Sequence, residues 1–331
     1  MCSIDLKDRR ILFELDTNAR QSLKQISKKV GLSKNAVFSR IEKLKEEGII
    51  QNFYTVLNPY ILGFSAVAIC LKFQYANLSV KQKIIDFFVT YENSWYVSSA
   101  EGHYDTIVTI WVQEFDRFFA FYNQFLQKYG KFIKRMDFRC FFQAEHYSSS
   151  YLLGRGCSGK ERDKVARIGP GKRIEFDKTD IRIMQILAVD ARISLTDIAK
   201  RVKCNIRTVK NRMSTLIKEG VIQAFRIGID ETKIGCKYVN VDVFLGDVEQ
   251  KKKVLTYVQS IPCLLEVFTS ISPVDLQLLF CVKNVEDVHE IMQRISNAFP
   301  FVIKNYDYIY KTGLFKWNWI PGELYREVWK G

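Results

Sequence analysis

Apolar residues recur every three or four positions in two stretches of the chain, residues 33–48 and 205–220. The recurring apolar positions are Val37, Ile41 and Leu44 in the first stretch and Val209, Met213 and Leu216 in the second. Each stretch begins with a residue that caps helix N-termini, Ser33 or Asn205, and ends at a glycine, which readily closes a helix. The pattern predicts two amphipathic helices, each with one face packed inward and the other face free.

A shorter helix and a tight turn are predicted just before each of these helices, at residues 22–30 and 194–202. A short capped helix, a turn and a longer basic helix form the helix-turn-helix signature, in which the second helix enters the major groove of DNA. The outer faces of the longer helices carry side chains that bond to phosphates and base edges. The candidate DNA-binding residues are Ser33, Lys34, Asn35, Ser39, Arg40, Lys43, Asn205, Arg207, Thr208, Lys210, Asn211 and Arg212.

A plainer interpretation of these side chains stays open. A polar face is also the ordinary solvated side of a helix, and arginine often pairs with a local carboxylate. Arg40 and Arg212 would then form salt bridges inside their own three-helix units, which are completed by helices predicted at residues 4–16 and 174–190.

The two helix-turn-helix segments are copies of one another. Arg40 and Arg212 are separated by 172 positions, and Gly48 and Gly220 are separated by the same number. The register holds without a gap over about fifty residues, which indicates duplication of a unit.

After each copy the apolar pattern changes to the alternation typical of strands. The first half predicts strand 65–73, helix 78–91, strands 94–101 and 103–112, helix 115–129 and strand 131–145. The second half predicts strand 237–245, helix 248–259, strands 263–270 and 274–282, helix 284–298 and strand 300–311. The order βαββαβ is that of a ferredoxin-like domain. The fold class is therefore α+β, with two winged, three-helix helix-turn-helix domains alternating with two ferredoxin-like domains.

Six segments follow from these patterns. They are a first DNA-binding domain at 1–50, a first ferredoxin-like domain at 51–147, a linker at 148–172, a second DNA-binding domain at 173–222, a second ferredoxin-like domain at 223–313 and an aromatic tail at 314–331. Glycine, serine and basic residues make the linker a predicted flexible tether. The tail tryptophans are expected to pack on a domain or on a partner subunit.

The amino-acid composition limits the classes of partner that the chain is expected to bind. The 331 residues are 47% hydrophobic and carry a net charge of +14, which favours a polyanion such as nucleic acid. No apolar run approaches the roughly 20 residues that span a bilayer, so we expect a cytoplasmic protein without membrane association. Eight scattered cysteines lack any Cys-x-x-Cys pair, so we expect no metal, no disulfide and no cofactor.

The residues of the first half resemble the Lrp/AsnC, or feast/famine, transcription regulators. The matching strings are Asp16-Thr17-Asn18-Ala19-Arg20-Gln21-Ser22, Gly31-Leu32-Ser33, Val37, Arg40-Ile41, Leu44, Gly48-Ile49-Ile50, Leu57-Asn58-Pro59 with Gly63, and Glu101-Gly102-His103-Tyr104-Asp105. The resemblance covers nearly all of 1–147 and, more weakly, 174–311. Members of this family ordinarily contain one such unit, whereas this chain contains a tandem duplication.

The resemblance implies that the ferredoxin-like domains are effector domains of the RAM type, which pair sheet to sheet. The two halves would form that pair within one chain, and assembly of such chains into a homo-oligomer is left open. It also implies that an amino acid or related small molecule binds at Glu101, Gly102, His103, Tyr104 and Asp105. The second copy of this loop, Ile271 to Asp275, has lost the glycine and the tyrosine, so the second effector site is expected to be vestigial.

The sequence therefore predicts a sequence-specific DNA-binding transcription regulator that is controlled by a small molecule and is not an enzyme. No nucleophile elbow, phosphate-binding glycine loop or carboxylate pair stands out. An alternative is a siroheme-decarboxylase-like, tetrapyrrole-modifying enzyme, because some proteins similar to this family are built from two such units. That chemistry needs His, Arg or Tyr side chains around propionates, and the histidines are His103, His146 and His289. A ligand sensor that has lost DNA binding is a third interpretation.

Overall fold

Two three-helix units form as predicted in the computed structural model, which describes residues 4–156 and 165–324. The helices of the first unit are α1 (Leu6–Thr17), α2 (Leu23–Val30) and α3 (Lys34–Glu46). The helices of the second unit are α6 (Lys178–Val189), α7 (Leu195–Val202) and α8 (Ile206–Lys218). Parts of the predicted first domain (1–3), linker (157–164) and tail (325–331) lie outside the described residues.

The predicted caps are confirmed on both longer helices. The Ser33 side chain accepts a hydrogen bond from the Ala36 N–H at 3.1 Å, and the Asn205 side chain accepts one from the Thr208 N–H at 2.7 Å. The apolar faces of α3 and α8 are buried, as their periodicity predicts. Their outer faces therefore point away from the units.

A two-stranded ribbon joins the two units. Strand β1 (Ile50–Leu57) pairs antiparallel with β7 (Ile222–Ile229). Each strand of this pair also bonds to the turn between the first two helices of the other half. For β7, the Ala19 N–H in the α1–α2 turn donates to the Phe225 carbonyl at 2.8 Å. We call the β1–β7 pair the ribbon.

Two arginines complete the connection between the units. Arg20 donates to the Ala191 carbonyl at 2.6 Å, and Arg192 donates to the Ala19 carbonyl at 2.6 Å. These reciprocal bonds hold each helix-turn-helix unit against the other. The ribbon and the arginines together fix the spacing of the two units.

Eight further strands form one closed ring. From the first half come β2 (Ser65–Phe73), β3 (Ser94–Gly102), β4 (Thr106–Val112) and β5 (Ile133–His146). From the second half come β8 (Lys237–Leu245), β9 (Leu264–Ile271), β10 (Leu276–Val282) and β11 (Ile303–Trp317). Their order is β2-β4-β3-β11-β8-β10-β9-β5, and β5 pairs again with β2. We call these eight strands the ring.

Helices cover the outside of the ring in the βαββαβ order that the sequence predicts. They are α4 (Leu78–Thr90), α5 (Phe115–Tyr129), α9 (Lys251–Gln259) and α10 (Val285–Ala298). The long strands β5 and β11 each pair with their own half at one end and with the other half at the other end. The two ferredoxin-like domains therefore form a pseudo-two-fold pair within one chain.

The flexible tether predicted at 148–172 is wrong for its described parts. Strand β6 (Ala166–Ile168) pairs with the end of β5, and Ser148, Ser150 and Leu152 are fully buried. Asn58 also holds this segment, since it accepts from the Gly169 N–H at 3.1 Å and donates to the Gly169 carbonyl at 3.0 Å. The described ends of this segment are therefore part of the folded body.

The tail also joins the fold. Strand β11 continues to Trp317, beyond its predicted end at residue 311, and pairs there with β3. Trp319 is 3% exposed and stacks on Tyr54 of the ribbon with ring centroids 5.8 Å apart. Trp317 and Trp319 thus pack on this chain, one of the two expected arrangements. Among the described residues, no helix is both long and apolar enough to cross a bilayer.

Candidate DNA-binding surface and central cavity

The outer faces of α3 and α8 present most of the predicted DNA-binding side chains to solvent. The exposed residues of this set are Ser33, Lys34, Asn35, Ser39, Lys43, Asn205, Arg207, Lys210 and Asn211, and Thr208 is half-buried. Lys34, Arg207 and Lys210 make no ion pair with any described residue. Lys43 lies 3.7 Å from Glu47 on the same helix. Lys34, Arg207 and Lys210 are therefore available to bind DNA phosphates.

Arg40 and Arg212 are placed differently from the rest of that set. Arg40 bonds to Asp5 and to Asp8, each at 2.7 Å, and Arg212 lies 2.8 Å from Asp177 and 3.0 Å from Asp180. Each arginine is therefore salt-bridged inside its own unit, as the plainer interpretation states.

These carboxylates cap the first helix of each unit, so the arginines tie the outer helix to that cap. Asp5 accepts a hydrogen bond from the Asp8 N–H, and Asp8 accepts one from the Asp5 N–H. The Asp8 N–H and then the Arg40 guanidinium hold the pKa of Asp5 below its usual range. Arg40 and Arg212 thus position the reading helices.

The two reading faces differ in chemistry at equivalent positions. Lys34 and Asn35 of α3 correspond to Ile206 and Arg207 of α8, and Phe38 corresponds to Lys210. Phe38 is 53% exposed on α3, whereas Ile206 and Ile217 are 46% and 47% exposed on α8, so the exposed apolar side chains lie at different places on the two helices. The faces therefore present different hydrogen-bonding patterns to a groove.

The predicted ligand loop lies against β11 of the other half. Gly102 has a φ of +112°, and a Cβ atom there would stand 2.6 Å from the Tyr308 carbonyl. Glycine is thus required by the left-handed backbone and by this close approach. His103 lies 2.6 Å from Arg135 and 3.7 Å from Asp307, and Glu101 is exposed.

Two side chains of this loop, Tyr104 and Asp105, hydrogen-bond to other parts of the fold instead of lining a cavity. Tyr104 is 2% exposed and donates its hydroxyl hydrogen to Asp137. Asp105 accepts from the Phe73 N–H at 2.8 Å, and in the second half Asp275 accepts from the Leu245 N–H at the same distance. The aspartate kept in both copies therefore ties its loop to the end of the first strand of its unit, β2 or β8.

The ring and the ribbon enclose a central cavity that sequence reasoning missed. The open volume of this cavity is about 140 Å³. Eight of its lining residues are aromatic, among them Tyr54, Tyr96, Phe141, Tyr238, Phe268 and Trp317. None of residues 101–105 lines it, so the structure does not bring the predicted ligand residues to this cavity.

Buried polar groups lie along one wall of the cavity. Arg226 donates to the carbonyls of Tyr147 at 2.8 Å and His146 at 3.0 Å, and lies 3.3 Å from Asp16. The His146 Nδ1 atom is 2.8 Å from Glu266, which orients the ring. The His146 Nε2 and Arg226 Nε atoms have no partner among the described residues. Both residues line the cavity.

Glu231 also lines the cavity and is 8% exposed. Burial raises the pKa of its carboxyl to about 7, against smaller opposing effects of the Tyr238 hydroxyl and Lys311. A carboxyl whose pKa is higher in the folded chain than in the unfolded chain stabilises the fold less as pH rises. Wild type should therefore lose up to about 3 kcal/mol of unfolding free energy between about pH 4.5 and 7 through this group.

Glu231→Gln removes this titration. The difference in unfolding free energy between the variant and wild type, measured by urea unfolding at a series of pH values, should grow as pH rises through that window. A difference that stays constant with pH would show that Glu231 does not titrate there.

One side of the ring holds a buried ion pair. Arg139 of β5 donates two hydrogen bonds to Asp242 of β8, at 2.8 and 2.6 Å, and both side chains are at most 2% exposed. The strand registers make Ile309 and Cys70 their counterparts in the other half. Those two residues lie in one small apolar cluster. The ring is thus asymmetric in its chemistry.

Comparison with known proteins agrees with the helix-turn-helix assignment. The sequence profile of a winged helix-turn-helix DNA-binding family matches residues 4–51 and 176–223. The transcriptional regulator FL11 of Pyrococcus abyssi is 35% identical over 112 residues, which are 33% of this chain and 70% of FL11. An uncharacterised helix-turn-helix transcriptional regulator of Pyrococcus furiosus is 30% identical over 138 residues, 41% of this chain and 86% of that protein.

A solved structure matches along the whole chain. The siroheme decarboxylase NirDL has a TM-score of 0.63, with 98% of both chains covered and 14% sequence identity. This likeness shows the fold, two helix-turn-helix units and two ferredoxin-like domains in one chain. The expectation that the chain is not an enzyme is therefore wrong, because its complete architecture is also that of an enzyme.

Proposed function

We propose, since the chain belongs to the Lrp/AsnC family of helix-turn-helix regulators, that it is a sequence-specific DNA-binding transcription regulator. One observation carries the proposal. Helices α3 and α8 expose unpaired cations and amides on their outer faces, while the ribbon and the Arg20 and Arg192 bonds fix their spacing. Two reading helices held in this way serve successive major grooves, about 10 base pairs apart or a multiple of that.

The contacts divide by chemistry. Lys34, Lys43, Arg207 and Lys210 supply phosphate contacts and contribute most of the affinity. Asn35, Ser39, Thr208 and Asn211 have the groups that read base edges. Ser33 and Asn205 are occupied as caps, and Arg40 and Arg212 hold the helices in position.

A salt titration tests the proposal. Each phosphate contact contributes about 0.9 to the slope of log affinity against log salt concentration. Removing four cations should flatten the slope by up to about 3.6 and weaken binding to genomic upstream fragments. The test variant is Lys34→Ala, Lys43→Ala, Arg207→Ala and Lys210→Ala together.

A control with the same charge loss separates local contact from net charge. It replaces four exposed lysines of the ferredoxin-like domains, Lys83, Lys134, Lys252 and Lys253, by alanine. The control should keep the wild-type slope to within one contact. Equal flattening in both variants, or binding without any preference among fragments, would refute a specific reading surface.

We further propose that an amino acid or related small molecule controls DNA binding. The support is the central cavity, which lies directly beneath the ribbon that spaces the reading helices. The loop at 101–105 receives less support as a ligand site, because Tyr104 and Asp105 hold structural contacts.

A second candidate function is decarboxylation of a tetrapyrrole such as siroheme. The whole-chain likeness to NirDL favours it, together with the place of one histidine. His146 lines the cavity, whereas His103 and His289 lie outside it on the domain surface. Anaerobic incubation with siroheme tests it: release of carbon dioxide supports the enzyme, and an unchanged spectrum without carbon dioxide excludes it.

A further inference from the structure

We infer that the central cavity binds a small aromatic carboxylate, with Lys311 as the anchor for its carboxylate group. The inference deepens the proposed control by a small molecule and rests on that part of the proposed function. Three features of the cavity support it, and each is independent of the loop at 101–105.

The first feature is a cation without a counter-ion. Lys311 of β11 lines the cavity, and its Nζ atom lies 4.5 Å from the centroid of Tyr238 and 5.8 Å from that of Tyr96. Ring faces hold a cation in place without neutralising it. Lys311 makes no ion pair within the described part of the chain, so its charge is available to an anion.

The second feature is the protonation state of a nearby carboxyl group, that of Glu231. Glu231 also lines the cavity, and burial raises its carboxyl pKa to about 7. At and below neutral pH much of this group is therefore uncharged and leaves the Lys311 charge unmatched. Glu266, the next carboxylate of the lining, is already engaged with His146 at 2.8 Å.

The third feature is the chemistry of the remaining wall. Arg226 also lines the cavity, and its guanidinium carries hydrogen-bond donors only, so it matches a carboxylate oxygen. Phe141 and Phe268 stack at 5.0 Å on the same wall, and Trp317 lies at another part of the lining. Aromatic walls favour a flat apolar body, and the two donors favour an acid group.

The size of the space sets the class of ligand. The open volume is about 140 Å³, so the probes chosen have a single aromatic ring and a short acid chain. A probe with these properties is 3-phenylpropanoate. L-Phenylalanine adds an ammonium group, and phenylethylamine replaces the acid by a cation.

The experiment measures binding of these three compounds to the full chain by tryptophan fluorescence and calorimetry, without DNA. We expect saturable binding of 3-phenylpropanoate and no binding of phenylethylamine. L-Phenylalanine reports whether the ammonium is tolerated; equal or tighter binding assigns the site to amino acids and weaker binding to acids without an amino group.

Variants locate the site. Lys311→Met should weaken 3-phenylpropanoate binding at least tenfold, Lys311→Arg should keep most of it, and Lys304→Met, an exposed lysine on the same strand, should leave it unchanged. Far-ultraviolet circular dichroism checks that each variant is folded. The inference is overturned if 3-phenylpropanoate does not saturate, if phenylethylamine binds equally well, or if a folded Lys311→Met binds like wild type. Because no DNA is present, such a failure leaves the salt titration of the reading helices unaffected.

Discussion

Arg139→Ala is expected to lower the free energy of unfolding by about 3 to 5 kcal/mol. The guanidinium makes two hydrogen bonds to Asp242, and both groups are at most 2% exposed. Its removal leaves a carboxylate inside the ring whose remaining partner is Gln277, at 3.3 Å. The ring of Tyr104, 5.3 Å from the Arg139 guanidinium carbon, loses its cation as well. Chemical unfolding followed by circular dichroism measures the loss.

The chain supplies its own control for this experiment. Ile309 and Cys70 occupy the equivalent positions of the other half, so Arg139→Ile with Asp242→Cys makes the two sides of the ring alike. Replacing both members of a buried pair by apolar groups is often neutral. The double variant should therefore recover most of the stability that Arg139→Ala loses. A double variant as unstable as the single one would show that the loss comes from packing and not from an unpaired charge.

Giving α8 the α3 residue at six outer positions is expected to change the preferred DNA site from asymmetric to nearly symmetric. Wild type should select two unequal half-sites, because α3 and α8 differ at most exposed positions. If two base pairs in one half-site change, at about 1 to 3 kcal/mol each, the preference between the two sites shifts by about thirtyfold or more. The variant gives α8 the face of α3 through Ile206→Lys, Arg207→Asn, Thr208→Ala, Lys210→Phe, Asn211→Ser and Thr215→Lys.

The reciprocal exchange is the matched control. It gives α3 the face of α8 through Lys34→Ile, Asn35→Arg, Ala36→Thr, Phe38→Lys, Ser39→Asn and Lys43→Thr. Selection from a random DNA library should return an inverted repeat of one wild-type half-site with the first variant and of the other half-site with the second. A library result that is the same for all three proteins would mean that these faces do not read sequence.

Local patterns were enough to predict the helices and strands of this chain. The spacing of Val37, Ile41 and Leu44 predicted the buried face of α3, and Ser33 predicted its start. The order of alternating and helical segments predicted both βαββαβ units. These features depend on neighbours within a few residues, so the sequence contains them directly.

Long-range pairing explains what the sequence did not show. Strand β6 has only three residues, and its partner in β5 is about twenty positions away, so the segment resembled a tether. The carboxylates that engage Arg40 lie 35 and 32 positions earlier in the chain. The cavity lining comes from strands of both halves, among them β5, β7 and β11, and no short motif marks it. The sequence left open whether Arg40 and Arg212 contact DNA or form local salt bridges. Only the packing of the three-helix units showed that they form local salt bridges.

In the tandem arrangement each half has its own codons, so the two halves can change independently in evolution although they are packed together in one fold. A regulator made of two identical subunits changes both reading heads with each mutation, whereas here a codon change in α8 leaves α3 untouched. The two halves of the ring already differ, since Arg139 and Asp242 on one side correspond to Ile309 and Cys70 on the other. The spacing of the heads also survives dilution, because the ribbon pairs strands of one polypeptide. A cell can therefore keep very few copies of this chain without losing the paired form to dissociation.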